Sequence, residues 1–237
     1  MCWAAHCGGH YMAKWTYFLL DAGALGSALA IAWRWRWWRA WLPAAGAITV
    51  VGAVFVAWDI AAAHAGHWAF NDAFTLGWRA FNLPLEEYLF FAAVGLVSLA
   101  VWGLQTRGPL RAISRWWLAV PILAACGLAG VYPSRGYSAT VAAATLITTA
   151  LLAWQSHLLS RRWLRWQTAM FGLFITFNTC LTALPIVTYG AGNFSGIRLG
   201  TIPLEDFLYS FTFTNCVLVA YAWLSKKHVT LPHKIDK

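Results

Sequence analysis

The sequence predicts an all-α, polytopic membrane protein with seven transmembrane helices, arranged as two parallel three-helix repeats plus a connecting helix. Three observations carry that expectation. The 237 residues are 60% hydrophobic and 11% charged, whereas soluble domains carry about a quarter charged residues. Apolar runs repeatedly approach the roughly 20 residues that cross about 30 Å of hydrocarbon as a helix. One phrase also occurs twice, as Pro84-Leu85-Glu86-Glu87-Tyr88-Leu89-Phe90 and as Pro203-Leu204-Glu205-Asp206-Phe207-Leu208-Tyr209, 119 positions apart.

Taken in order, the spans are expected near 11–33, 42–63, 84–104, 116–132, 137–158, 166–187 and 203–225. Pro84 and Pro203 suit the first turn of a helix, where the missing N–H costs nothing. The offset of 119 continues outside the phrase: Trp58-Asp59 falls on Phe177-Asn178, Phe70 on Tyr189, Gly77 on Gly196 and Arg79 on Arg198. The expected divisions are a first three-helix repeat at 11–104, a connecting helix at 105–136, a second repeat at 137–225 and a basic tail at 226–237. Four crossings separate equivalent helices, so the repeats run parallel, and sites in such proteins tend to lie between repeats.

The basic residues sort by side. Arg34, Arg36, Arg39, Arg107, Arg111, Arg115, Arg161, Arg162, Arg165, Lys226, Lys227, Lys234 and Lys237 fall on one side; only Lys14, Arg79, Arg135 and Arg198 fall on the other. The positive-inside rule then puts the N-terminus outside and the C-terminus in the cytoplasm of a multi-pass cell-membrane protein. The formal charge of +9 is thereby assigned to anchors beside anionic lipid headgroups, and a nucleic-acid partner is not expected. Trp33, Trp35, Trp37, Trp38, Trp41, Trp116, Trp117, Trp163 and Trp166 flank the same connections as an interfacial belt. The five cysteines have no framework spacing. Cys2, His6, Cys7 and His10 read as an extension with nothing to order them into a metal site.

Four of the eight acidic residues sit in the two phrases, and acids beside hydrocarbon are expensive to insert. Glu86 and Glu205 read most simply as acids of a helix start, closing a capping box at the positive helix end. That reading leaves Glu87 and Asp206, about 100° further around each helix. Neighbouring carboxylates repel and burial disfavours charge, so one member of each pair is expected to hold a proton near neutral pH. Asp59 and Asn178 occupy equivalent places and read as helix bridges or substrate-side polar groups. Arg79 and Arg198, five residues before each proline, are either charge partners of the carboxylates or interface anchors. His64 and His67 have chelating spacing but no third ligand and no repeat counterpart, so no metal is expected. Asp72, also unduplicated, reads as a solvated loop residue. Aromatic residues crowd the same regions, among them Trp58, Phe70, Tyr88, Phe90, Phe207 and Tyr209. Ring faces plus carboxylic acids suit a reaction that makes a carbocation from an apolar substrate.

The duplicated Pro-x-Glu-Glu/Asp phrase, followed by aromatics in a three-span unit, resembles the heterodimer-type lycopene cyclase domain family, with two domains fused in one chain. The resemblance runs from about Tyr17 to Trp223. It implies non-redox cyclisation of the acyclic ends of lycopene into β-ionone rings, giving γ-carotene and then β-carotene. Glu86, Glu87, Glu205 and Asp206 would be its acids and bases, with the two pairs facing each other between the repeats. Trp58, Asp59, Phe70, Arg79, Tyr88, Phe90, Asn178, Arg198, Phe207 and Tyr209 would surround the substrate. The implied partners are lycopene or a related carotenoid and membrane lipid; carotenoid-pathway enzymes or a second copy stay open. No cofactor is implied, and the chain has no Gly-x-Gly-x-x-Gly for a flavin. The second half departs from the first in Asp206 for Glu87 and Asn178 for Asp59.

Alternatives within the family are cyclases of C50 carotenoids or ε rings. Outside it, three-one-three repeats also build small sugar transporters, but these need a polar path and mid-span polar residues are few here. A retinal protein needs a lysine inside the last helix, whereas Lys226 and Lys227 lie at its end.

Overall fold

The computed structural model describes residues 13–34, 41–105 and 111–229, without the side chains of 226–229. The Cys2/His6/Cys7/His10 stretch and the basic residues Arg36, Arg39, Arg107, Lys234 and Lys237 lie outside the described residues. Among the described residues seven α-helices follow one another: α1 (Thr16–Arg34), α2 (Trp41–His64), α3 (Leu85–Leu104), α4 (Ala119–Val131), α5 (Gly136–Trp154), α6 (Arg161–Ala183) and α7 (Leu204–Val229). Among the described residues five segments are long and apolar enough to cross a membrane: Thr16–Arg34, Trp41–His64, Leu85–Leu104, Gly136–Trp154 and Leu204–Ser225. The chain is read as a membrane protein on that basis. With its leading 3₁₀ turn, α4 makes a shorter apolar segment, Arg115–Val131.

Three boundaries differ from the sequence reading. α6 begins at Arg161, because the Ser160 hydroxyl caps it by accepting the Trp163 N–H at 3.3 Å. Arg161, Arg162 and Arg165 therefore sit in its first turns. It ends at Ala183, and Val187 belongs to a strand. Pro84 and Pro203 are not in the helices but close short strands immediately before them; Pro84 is the N-cap of α3, with φ −65°.

The chain also forms small antiparallel ladders, which the sequence reading did not contain. β2 (Arg79–Ala80) pairs with β3 (Leu83–Pro84), and β5 (Arg198–Leu199) with β6 (Ile202–Pro203). Each hairpin delivers the chain into α3 or α7, with the Leu85 and Leu204 N–H groups donating to the Trp78 and Ile197 carbonyls at 3.0 Å. The first central turn residue has positive φ in both, Phe81 at 55° and Gly200 at 63°. Glycine adopts that conformation without strain and phenylalanine does not. β1 (Trp68–Phe70) pairs with β4 (Val187–Tyr189), joining segments more than a hundred residues apart. Its central pair is Ala69 opposite Thr188, and the flanking bonds Asn71 N–H to Ile186 O and Gly190 N–H to His67 O are both 2.9 Å.

The five long apolar segments have little polar surface, so their packing depends on matched shapes and scattered polar bonds, whereas α6 carries Arg161, Arg162, Arg165 and Gln167 in its first two turns. α1 packs on α3, α5 on α7, α4 on α5, and α2 on both α3 and α7. At the strand end of the bundle Tyr17, Trp68, Phe70, Leu83, Tyr137, Leu181 and Ile186 form one buried cluster. At the opposite end Trp102, Leu152, Trp163, Trp166, Met170 and Leu218 form another. There the Trp166 indole donates to the Ser98 carbonyl at 2.8 Å, and the Trp163 indole to Asn215 at 2.9 Å. Both tryptophans are buried, so neither joins an interfacial belt, whereas Trp33 and Trp116 are more than 80% exposed.

Candidate active site

Folding gathers the acids at the strand end, and each duplicated phrase splits its two carboxyls between different tasks. Glu86 accepts the Leu76 N–H at 2.6 Å, and Glu205 accepts the Ser195 N–H at 2.5 Å. Each thus holds the loop ten residues upstream, a task different from the expected capping box. Glu205 also accepts the Ser138 hydroxyl at 2.5 Å and the Ser195 hydroxyl at 3.2 Å.

Their neighbours turn inward. Glu87 accepts the Tyr17 hydroxyl at 2.6 Å, and Asp206 accepts the Tyr137 hydroxyl at 2.8 Å. Asp206 receives two more donors, the Asn178 amide at 2.8 Å and the Tyr189 hydroxyl. Burial and the Asp206 charge hold the Tyr189 phenol, on β4, well above its ordinary pKa, so it remains a donor. Asp59 accepts the Tyr209 hydroxyl at 2.7 Å and lies within hydrogen-bonding reach of Glu87.

Glu87, Asp59 and Asp206 line one cavity of about 400 Å³ with Tyr17, Trp68, Phe70, Phe90, Tyr137, Phe177, Asn178, Tyr189 and Tyr209. From there it runs between α1 and α6, past Gly23, Ala24 and Ser27 on one side and Met170, Leu173, Phe174 and Thr176 on the other. Gly23, Ser27, Leu173 and Thr176 are all exposed on the flank of the bundle. The cavity is therefore a cleft, polar at its head and apolar along its length, with a mouth on the side.

Of the expected site residues, Glu87, Asp206, Asp59, Phe70, Phe90, Asn178 and Tyr209 line this cleft, and the others do not. Glu86 and Glu205 hold loops. Arg79 bonds the Asn82 and Phe70 carbonyls and makes an exposed ion pair with Asp72 at 2.5 Å, the kind of surface pair worth about 0–1 kcal/mol. Arg198 bonds the Thr201 carbonyl and lies over the rings of Tyr189 and Phe194. Neither arginine reaches the carboxyls of the phrases. Trp58 packs on Phe55 and Tyr209 behind the cavity. Phe207 packs on Phe171 and Phe174, and Tyr88 bonds the Ala80 carbonyl at 3.0 Å. His67 is buried against Trp68 and Tyr137.

Sequence reasoning missed Tyr17 and Tyr137, which play matching parts but stand 120 positions apart, one step outside the constant offset. It also missed Asp21 on α1, which is 0% exposed and has no hydrogen-bond partner among the described residues on either carboxyl oxygen. The residue 120 positions later is Val141. Leaving a buried polar group unsatisfied costs about 1–3 kcal/mol. Asp21→Val is accordingly expected to raise the thermal midpoint of the purified protein by several degrees, at about 2–4 °C per kcal/mol; a lowered midpoint in a melting scan would refute it.

Comparison with known proteins gives one finding at the level of family. The family model described as lycopene cyclase matches the chain twice, at residues 14–103 and 135–224. Neither the curated proteins nor the solved structures contain a match.

Proposed function

The chain belongs to the lycopene cyclase family, and from that premise we propose that it is a lycopene β-cyclase acting by acid/base chemistry alone. Carotenoid cyclisation follows from the family; the ring type and the residue roles are our reading. One observation carries it: Glu87 and Asp206, equivalent residues of the two matched segments, meet in a single aromatic-lined cleft.

The reaction needs a proton placed on the terminal double bond of the acyclic end. The next double bond attacks the resulting tertiary cation, closing a six-membered ring and moving the cation onto a ring carbon. A carboxylate then removes a neighbouring proton, and the site of removal sets a β, ε or γ ring. General acid–base groups contribute about 10²–10⁴-fold each. The faces of Phe70, Phe90, Phe177 and Tyr209 suit the intermediate cations, at roughly 0.5–2 kcal/mol per well-placed ring. Because both carboxyls share one cleft, the two ends of lycopene are processed in turn, γ-carotene being released or reversed before the second closure.

The same reading takes all seven helices as spans, grouped as 11–104 and 137–225 around a connecting segment at 105–136. The strand end, with the acids, then faces outward and the C-terminus lies in the cytoplasm, as the charge asymmetry favours. The substrate dissolves in lipid, and the lateral mouth between α1 and α6 suits entry of one end while the remaining polyene stays in the bilayer. Gly23 lines this mouth, and a Cβ added there would meet nothing within 4 Å. Gly23→Phe puts a ring into that open space and is expected to lower conversion about tenfold by obstructing entry, equivalent to about 1.4 kcal/mol. Gly26→Phe, exposed and not among the residues that line the cleft, should leave conversion unchanged. Equal losses in both would remove the mouth from the proposal.

The deciding experiment is pigment analysis of a lycopene-accumulating bacterium that expresses the chain. β-Carotene is the expected product. γ-Carotene alone would restrict the enzyme to one end, ε rings would move the base, and unchanged lycopene with the protein folded in the membrane would overturn the assignment.

A further inference from the structure

We propose that the two halves of the site are chemically unequal: Asp59 and Glu87 hold one proton between them and form the acid, while Asp206 is the base. The proposal rests on the cyclase reading above and goes beyond it in making Asp59 a proton-donating residue.

The donor inventory carries it. Asp206 is met by three donors, from Tyr137, Asn178 and Tyr189. An ionised carboxylate is acceptor-only and suits that surround, in which no neighbour is left to accept an acid proton. Glu87 occupies the matching place in the first half, but its partner at the position of Asn178 is Asp59. An amide donates to a carboxylate; a second carboxylate cannot. Asp59 and Glu87 each accept only one phenol, from Tyr209 and Tyr17, and both are buried. Two carboxyl oxygens can meet in that setting only with a proton between them. The position of Tyr189 is taken by Phe70 in the first half, so Glu87 also lacks the third donor that Asp206 has. A single exchange of Asn for Asp, with Tyr for Phe beside it, turns a duplicated carboxylate site into a donor and an acceptor.

The proton balance is closed. The Asp59–Glu87 pair gives its proton to the inner carbon of the terminal double bond, whose π electrons form the new C–H bond and leave a tertiary cation on the end carbon. Ring closure makes one C–C bond from the electrons of the next double bond. Asp206 takes a proton from the carbon beside the final cation, and the electrons of that C–H bond become the ring double bond. Asp206 is then protonated and the pair carries one proton fewer; exchange with water at the strand end restores both before the next closure.

Infrared spectroscopy of the purified full-length protein, without substrate, tests the assignment. Asp21→Val serves as background, so that its buried carboxyl adds no signal. In that background Asp59→Asn and Glu87→Gln should each remove the carbonyl stretch of a protonated carboxyl, and Asp206→Asn should remove only carboxylate absorption. A protonated-carboxyl band that survives Asp59→Asn and Glu87→Gln but vanishes in Asp206→Asn would overturn the proposal. A band lost in Glu87→Gln but kept in Asp59→Asn would remove Asp59 from the acid. Asp59→Asn should also lower cyclisation about 10²–10⁴-fold while lycopene binding, read by its bound absorption, persists; Asp59→Glu should recover part of the rate. A wild-type protein that cyclises no carotenoid would sink the cyclase reading by itself, since the infrared result is obtained without turnover.

Discussion

Cells that accumulate lycopene should remain red when they express Glu87→Gln or Asp206→Asn in place of the wild-type chain. Each substitution keeps the shape and one hydrogen-bond acceptor of the carboxyl but removes its capacity to exchange a proton. The expected loss is about 10²–10⁴-fold per residue, read as the ratio of cyclised to acyclic pigment at equal protein in the membrane fraction. The two losses should not multiply, because a donor without an acceptor stalls the same cation as an acceptor without a donor. Wild-type product levels in either variant would take that carboxyl out of the chemistry.

A different failure is expected one residue earlier in each phrase. Glu205→Ala strips the acceptor from the Ser195 N–H, the Ser195 hydroxyl and the Ser138 hydroxyl, all around a carboxyl that is 0% exposed. Leaving a buried donor unsatisfied costs about 1–3 kcal/mol, and these donors share one acceptor. A destabilisation on the order of 3 kcal/mol is therefore expected, seen as a lowered melting midpoint and less protein in the membrane. Glu86→Ala, which frees only the Leu76 N–H, should cost less. Folded, inactive Glu205→Ala protein with an unchanged midpoint would contradict the loop-holding role.

The contrast between adjacent acids shows where the sequence was legible and where it was not. Long apolar runs and a 119-residue offset located the helices and the paired carboxyls, because lipid leaves the backbone few options. Helix-start chemistry separated Glu86 and Glu205 from Glu87 and Asp206, but it could not say what the first two hold. That depends on where Leu76 and Ser195 present their amides, which is set by hairpins only two residues per strand long. Strands that short carry no alternation to read. Tyr17 and Tyr137 escaped because one residue is inserted between the spans that hold them and the phrase. Arg161, Arg162 and Arg165 read as a loop because basic clusters mark membrane borders; the Ser160 cap draws them into α6. Arg79 and Arg198 looked like carboxylate partners from spacing alone, yet their side chains fold back onto their own hairpins.

The β1–β4 ladder has a consequence for how such a chain is inherited and assembled. Its central pair, Ala69 and Thr188, consists of residues 119 apart, so each strand meets its own counterpart. A strand that pairs with its counterpart in this way presents an edge that a second copy of the same half would also fit. Severed from one another, the halves would have to find the right mate among identical wrong ones, at a rate set by their concentration. Covalent linkage makes the unlike pairing intramolecular, with a local concentration that can reach the millimolar range. The connection between the halves thus acts as a choice of partner, favouring the combination in which Asp59 and Asn178 occur together.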